Sequence, residues 1–121
     1  MKILVVDDDE NIRLIASYSL VGDDVHVIEA ASGAAALELA KDEVPDVILL
    51  DMMMPNMDGK TTLARLKECP ETKPIPVIFF TAKVQAHEME TYIGLGAAGV
   101  IMKPFDPISL LDQVVVMLEK H

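Results

Sequence analysis

Five side chains able to bind a metal ion or a phosphate group stand immediately after short apolar runs. They are Asp7, Asp8, Asp51, Thr81 and Lys103. Carboxylates gathered in one place repel each other unless a cation lies between them, and Mg²⁺ prefers such oxygen ligands. An ammonium and a hydroxyl group can hold the oxygens of a phosphoryl group during its transfer. These residue types indicate metal-assisted phosphoryl transfer, with Asp51 as the candidate nucleophile because carboxylates form acyl phosphates.

The apolar runs alternate with segments of helical spacing along the whole chain. The runs are Ile3 to Val6, Val25 to Ile28, Val47 to Leu50, Val77 to Phe80, and Val100 to Met102. Strand alternating with helix in this way predicts a parallel sheet covered by helices on both faces. Ligands of such sheets bind beyond the carboxyl ends of the strands, so the candidate residues should meet there. The second run alternates apolar and polar residues and therefore suits an edge strand.

Composition limits the class of protein. The 121 residues, 51% hydrophobic and 25% charged, predict a single globular domain over residues 1–121. Acidic residues outnumber Lys plus Arg by 20 to 10, and the net charge of −10 disfavours contact with nucleic acid or an anionic membrane. Without a signal-peptide pattern or a long apolar run, we expect a cytoplasmic protein.

The motifs at the ends of the runs resemble those of receiver domains in bacterial two-component response regulators of the chemotaxis-regulator kind. The segments V-V-D-D-D, D-M-M-M-P-N-M-D-G, F-T-A and K-P-F occur in this order. Each motif alone is common, whereas the ordered set is specific and extends over essentially the whole chain. The resemblance implies an α/β fold, a flavodoxin-like doubly wound five-stranded parallel sheet in the order 2-1-3-4-5 with five helices.

The resemblance also implies a metal site and a phosphoacceptor. Asp51 would accept a phosphoryl group from the phosphohistidine of a sensor histidine kinase or a phosphotransfer protein. Asp8 would bind Mg²⁺ (or Mn²⁺) directly and Asp7 would bind it through water. Asp51 and the backbone carbonyl of Met53 would complete the protein ligands.

The same resemblance assigns the remaining residues and the output. Lys103 and the Thr81 hydroxyl would contact the phosphoryl oxygens, and the Lys103–Pro104 peptide would be cis. The domain would catalyse its own phosphorylation and dephosphorylation without being a dedicated enzyme. Phosphorylation would switch the binding of an output partner or a second copy through the fourth helix, fifth strand and fifth helix.

One position departs from the pattern of the family, and two others bear on how fast the phosphoryl group is lost. Val100 stands where receivers commonly carry an aromatic residue, three positions before the lysine, so the signal is expected to leave by another route or to be weak. Met53 and Lys83 lie two residues after Asp51 and Thr81, beside the path of the attacking water. A bulky Met53 next to a long cation predicts slow loss of the phosphoryl group.

The last helix is apolar beyond a single stripe. Asp106-Pro107 predicts its start, with an acidic N-cap before a proline at the first helical position. One predicted face carries Ile108, Leu111, Val114, Val115 and Leu118, which Leu110 and Met117 widen. The extra width fits either a partner or dimer surface or a solvent face that is merely apolar.

Each candidate also has an ordinary structural interpretation when taken alone. Asp7 and Asp8 fit a loop that caps a helix. Asp51 fits the end of a strand, and Lys103 fits a surface lysine. The combination of these residue types at the ends of four runs is what favours a shared site.

Three alternative functions remain to be weighed. An aspartyl-phosphate hydrolase would place a second acid where Met53 stands and would normally carry a cap domain. A flavodoxin-like cofactor binder would not place Asp7, Asp8 and Asp9 in its phosphate loop. A receiver fold used only for docking, with little phosphorylation-driven output, fits the sequence as well.

Overall fold

Strands and helices alternate along the chain in the computed structural model, which describes residues 1–82 and 86–120. The strands are β1 (Lys2–Val6), β2 (His26–Ala30), β3 (Val47–Asp51), β4 (Val77–Thr81) and β5 (Gly99–Met102). The helices are α1 (Glu10–Ser19), α2 (Gly33–Glu43), α3 (Gly59–Glu68), α4 (Ala86–Gly94) and α5 (Leu110–Lys120). None of the helices in these ranges is long and apolar enough to cross a membrane.

The strands form one sheet in the order β2-β1-β3-β4-β5, and all neighbouring pairs are parallel. This confirms the predicted doubly wound fold and the position of the second strand at an edge. Val6 of β1 pairs with Leu50 of β3, so Asp7 and Asp51 follow at the same level. Phe80 pairs with Asp51, which places Thr81 one step beyond it on the neighbouring strand.

Two hydrophobic layers sandwich the sheet because alternate strand residues point to opposite faces. Leu4, Val6 and Leu50 pack on one face, together with buried residues of α2, α3 and α4. Ile3, Val5 and Phe80 pack on the other face, against α1 and α5. The inner strands β3 and β4 are buried along their whole length, as expected of interior parallel strands. Burial of each such large side chain stabilises the fold by about 1.5–3 kcal/mol, which anchors the strand ends that carry polar residues.

Short capped loops turn the chain from strand to helix at the same edge of the sheet. Asp9 caps α1 by accepting hydrogen bonds from the backbone N–H groups of Asn11 and Ile12. The hydroxyl of Ser32 caps α2 in the same way, and the carboxylate of Asp58 caps α3. Each cap satisfies backbone donors that a helix start leaves unpaired, so the loops between strands and helices are held at both ends.

Gly59 allows α3 to begin directly against the end of β3. A Cβ atom at this position would lie 2.5 Å from the backbone oxygen of Asp51 and 2.8 Å from the Cα of Met52. Its backbone N–H also donates to the Met52 carbonyl at 3.0 Å. The close approach fixes the backbone from which the Asp51 side chain projects.

The predicted start of the last helix is wrong by a few residues. Asp106 accepts a hydrogen bond from the N–H of Ile108 and, through its carbonyl, one from Ser109, which closes a turn ahead of the helix. The helix itself begins at Leu110. Ile108 consequently lies outside it with 92% of its surface exposed, whereas Leu110 and Val114 are the buried residues of the helix.

Candidate metal and phosphoacceptor site

Three carboxylates meet at the carboxyl end of the sheet. One oxygen from each of Asp7, Asp8 and Asp51 lies within 4.8 Å of the others. The ammonium of Lys103 joins them, with its Nζ 2.6 Å from Asp7 Oδ2 and 3.2 Å from Asp51 Oδ1. The structure therefore brings together residues that are separated by as many as 96 positions along the chain.

Burial differs among the three acids. Asp7 is 1% exposed and Asp51 is 4% exposed, whereas Asp8 lies at the surface. Two charged groups removed from water need compensating partners. Lys103 supplies one positive charge for both, so the cluster as a whole remains negative and is suited to a further cation.

The pKa of Asp51 reflects chiefly its burial and, after that, the neighbouring charge of Asp7. Burial and the charge of Asp7 raise it from 3.8 to about 6, although Lys103 and the N–H of Met53 act in the opposite direction. Burial alone would lower the pKa of Lys103, but its hydrogen bond to Asp7 and the charges of Asp7 and Asp51 raise it above its ordinary value. Lys103 therefore stays charged, and Asp51 is the acid whose charged form the cluster disfavours.

Lys103 reaches the acids from the end of β5. Its backbone N–H donates to the carbonyl of Thr81 at 2.7 Å, and its Nζ lies 5.5 Å from the centre of the Phe80 ring. Phe80 stacks on Phe105 at a centroid distance of 5.0 Å. The Lys103–Pro104 peptide is cis, as the resemblance implies.

A cavity lies next to Thr81. This residue ends β4 and is 5% exposed. Together with Met53, Ala82, Glu88 and Tyr92 it lines a cavity of about 340 Å³. Thr81 thus borders an open space that also reaches Met53, two residues after Asp51.

The segment after Asp51 places its methionines in two environments. Met52 and Met54 are buried, whereas the side chain of Met53 is 79% exposed. The backbone N–H of Met53 donates to Asp51 Oδ1 at 3.3 Å, which puts the Met53 main chain beside the acid cluster. Lys83, the other residue expected to border the water path, lies outside the described residues.

Sequence reasoning missed the role of Arg13. Its Nη1 donates to the backbone oxygen of Asp7 at 2.8 Å, and its Nε lies 3.3 Å from Oε1 of Glu29. The available signal was its isolation, because Arg13 is the one Lys or Arg between residues 3 and 40. A basic side chain one turn into the helix after an acidic loop is placed to reach back to that loop.

An aromatic residue lies near the site on α4 rather than on β5. Val100 is buried in β5, and Tyr92 of α4 is 6% exposed. The Tyr92 ring meets Phe79 edge to face at 5.4 Å, and its hydroxyl donates to Glu88 at 3.0 Å. This hydrogen bond comes with a raised pKa of Tyr92, caused by burial and by the neighbouring Glu88.

Known proteins share this sequence pattern. Residues 3–115 match the family model of the response regulator receiver domain. The response regulator PleD of Caulobacter vibrioides is 40% identical over 114 residues, which cover 93% of this chain and 25% of that protein. PhoP of Bacillus subtilis, the alkaline phosphatase synthesis transcriptional regulatory protein, is 35% identical over 119 residues. These residues cover 98% of this chain and 49% of that protein. The chain thus spans half or less of the length of these two relatives.

Solved structures share the fold. Chemotaxis protein CheY4 of Vibrio cholerae is 31% identical and superposes with a TM-score of 0.88, covering 96% of this chain and 97% of that one. The Francisella response regulator 1452 receiver domain is 28% identical with a TM-score of 0.86, covering 98% and 97%. The chain accordingly belongs to the response regulator receiver domain family, the signalling module of two-component systems.

Proposed function

We propose that this chain accepts a phosphoryl group on Asp51 in a Mg²⁺-dependent reaction and that phosphorylation switches its binding to a partner. The observation that carries the proposal is the convergence of Asp7, Asp8 and Asp51 on one another, with Lys103 bonded to two of them. Response regulators interact with histidine kinases or phosphotransfer proteins, so the donor is a phosphohistidine on one of these.

The donor set fits a hard divalent cation. Oxygen atoms of three carboxylates lie within 4.8 Å of one another, and the Met53 carbonyl is the further oxygen that we assign to the site. Mg²⁺ and Mn²⁺ prefer such ligands, and their charge offsets the negative charge of a phosphoryl group in transfer. Asp8, the exposed acid, is assigned as a direct ligand with Asp51, and Asp7 as a ligand through water.

The transfer itself requires little beyond positioning and charge. The P–N bond of a donor phosphohistidine protonated at its other ring nitrogen breaks as a bond forms between phosphorus and a carboxylate oxygen of Asp51, so the histidine leaves as a neutral imidazole. Both hydrogen bonds that the carboxylate receives from described residues reach Oδ1, from Met53 and Lys103, so Oδ2 is proposed as the nucleophile. Lys103 and the Thr81 hydroxyl then hold the oxygens of the transferred group.

A dianion on Asp51 changes the balance of charge at Lys103 and Thr81, and this supports a switch with two arrangements. The proposed output surface comprises α4, β5 and α5. Ile93, Met102 and Val116 lie on these three elements with 50%, 47% and 44% of their surfaces exposed. An output partner, or a second copy of the chain, would bind there.

A docking module with little phosphorylation-driven output is the second candidate. It is favoured by one observation, that Val100 occupies the strand position expected to carry an aromatic residue and is buried. A small aliphatic side chain in the core has less capacity than a rotating ring to transmit movement to the surface. The two candidates differ in whether α4 responds when Asp51 is occupied.

The charge of the cluster makes stability depend on pH. Without divalent metal, Asp51→Asn should stabilise the protein near pH 7.5 by on the order of 1–3 kcal/mol. Folding raises the pKa of Asp51 to about 6, so the folded state holds this proton more tightly than the unfolded state does. The resulting contribution to the free energy of unfolding is present at low pH and is lost as the pH rises through 6. Urea unfolding in EDTA should show the difference shrinking towards pH 4, and a less stable variant at pH 7.5 would contradict the prediction.

Phosphorylation can be read by intact-mass spectrometry after treatment with acetyl phosphate and Mg²⁺. The wild type should gain one phosphoryl adduct, and Asp51→Asn should gain none. Asp58→Asn is the matched control, because Asp58 is exposed and an asparagine keeps the cap of α3. An adduct that persists in Asp51→Asn, or none in the wild type, would overturn the assignment of Asp51.

The lifetime of the phosphorylated form tests the exposed methionine beside the site. Met53→Asn should shorten it by about fivefold, the rate equivalent of one hydrogen bond of about 1 kcal/mol to the attacking water. Met89→Asn, at another exposed methionine on α4, should leave the lifetime unchanged. Decay of the mass adduct measures both, and equal lifetimes in wild type and Met53→Asn would exclude a shielding role.

The response of α4 separates the switch from the docking module. On addition of beryllofluoride and Mg²⁺, the NMR resonances of ring-labelled Tyr92 should shift because its cavity is shared with Thr81. Tyr18, the other tyrosine, is 73% exposed on α1 and serves as the internal control. Tyr18→Phe assigns the two signals. If Tyr92 does not respond in a protein that binds beryllofluoride, the docking module is the better description.

A further inference from the structure

We infer that Arg13 is a positioning residue for the metal site, which it serves by fixing the peptide group between Asp7 and Asp8. The inference rests on the proposed function, because it concerns how Asp8 is held towards the cation. Arg13 would touch neither the metal nor the phosphoryl group. Its effect would pass through the main chain of the acidic loop.

The contact is to the backbone rather than to an acid side chain. Nη1 of Arg13 donates to the carbonyl oxygen of Asp7 at 2.8 Å. This carbonyl is part of the planar unit that joins Asp7 to Asp8, so its direction sets where the Cα of Asp8 lies. A charged donor on this oxygen resists rotation of the peptide plane more strongly than a neutral one.

The orientation of the Asp8 carboxylate depends on the backbone more than that of the Asp7 carboxylate does. The Asp7 carboxylate is held on both oxygens, at Oδ1 by the N–H of Asp9 at 2.9 Å and at Oδ2 by Lys103 at 2.6 Å. Asp8 is exposed, and its carboxylate makes no hydrogen bond within residues 1–82 and 86–120. The orientation of the Asp7–Asp8 peptide is therefore the main restraint on the acid that we assign as a direct ligand.

Arg13 is itself held on two sides. Its Nε lies 3.3 Å from Oε1 of Glu29 on the edge strand β2. The side chain of Arg13 is only 16% exposed. Its backbone N–H donates to the carbonyl of Asp9 at 3.1 Å, in the first turn of α1. The guanidinium thus joins β2, α1 and the acidic loop through a rigid planar group with donors aimed at two acceptors.

An ordinary α1–β2 ion pair is the competing explanation. Such a pair at a partly exposed position contributes about 0–1 kcal/mol to stability. It would change unfolding but leave the affinity for Mg²⁺ as it is. The two explanations therefore differ in metal binding, measured apart from phosphorylation.

The test compares Arg13→Met with Arg65→Met, because both replacements remove one positive charge from a chain of net charge −10. Arg65 is exposed on α3, so it controls for the long-range attraction of Mg²⁺ to a more acidic protein. Isothermal titration with Mg²⁺ should give a Kd about tenfold weaker in Arg13→Met than in Arg65→Met, the usual effect of losing a group that orients a metal ligand. The Kd of Arg13→Lys should lie between those of Arg13→Met and Arg65→Met, because a single ammonium cannot bind both the Asp7 carbonyl and Glu29.

A second readout distinguishes positioning from general damage. With acetyl phosphate as donor, Arg13→Met should require more Mg²⁺ for half-maximal phosphorylation while keeping its maximal rate at saturating Mg²⁺. Loss of the maximal rate with an unchanged Mg²⁺ requirement would overturn the inference. So would a Kd for Arg13→Met within about twofold of that of Arg65→Met.

The outcomes also separate this inference from the proposed function. A wild type that binds no Mg²⁺ and gains no phosphoryl adduct removes the proposed function, and the inference with it. A wild type that does both, with Arg13→Met equal to its control, removes the inference alone. If circular dichroism shows Arg13→Met to be unfolded, Arg13→Lys is judged by the same twofold limit against Arg65→Lys, which keeps its positive charge in the same way.

Discussion

Electrostatic repulsion within a cluster of three carboxylates, two of them buried, is the constraint on which the rest of this molecule depends. The parallel register places Asp7 and Asp51 at one level on adjacent strands, and both side chains are almost fully buried. Lys103 supplies one positive charge for both acids, while burial and, after it, the charge of Asp7 raise the pKa of Asp51 to about 6. A site of this kind responds to one added cation or one added dianion, because either one changes the net charge among closely spaced groups.

The structure around the cluster is densely packed and hydrogen-bonded. The apolar strands beneath it are buried along their length, and Gly59 brings the start of α3 into direct contact with the Asp51 backbone. Helix caps at Asp9 and Asp58 tie down the loops that carry or flank the acids. Burial of the hydrophobic core thus stabilises the fold enough to offset the repulsion between like charges at the edge of the sheet.

Sequence periodicity predicted a parallel sheet with the second strand at an edge, whereas the full strand order came from the resemblance to receiver domains. The meeting of Asp7, Asp51 and Lys103 followed from the sequence because the carboxyl ends of parallel strands must share one edge. Periodicity could not predict contacts that a side chain makes with the main chain, such as that of Arg13 with the Asp7 carbonyl. The start of α5 was also missed, since the turn that Asp106 closes with its own backbone neighbours uses the same signals as a helix cap. The exposure of Ile108 follows from that error of a few residues.

The position of Tyr92 bears on how a change at Asp51 reaches the surface. With Val100 in β5, an aromatic residue of α4, Tyr92, lines the cavity that Thr81 and Met53 share. Tyr92 contacts Phe79 in the core, its hydroxyl binds Glu88, and Lys60 lies 5.5 Å from the centre of its ring. A movement of Thr81 towards a phosphoryl group would alter the wall of that cavity and hence the packing of a helix. We therefore expect α4, rather than β5, to be the element whose two arrangements the charge at Asp51 selects.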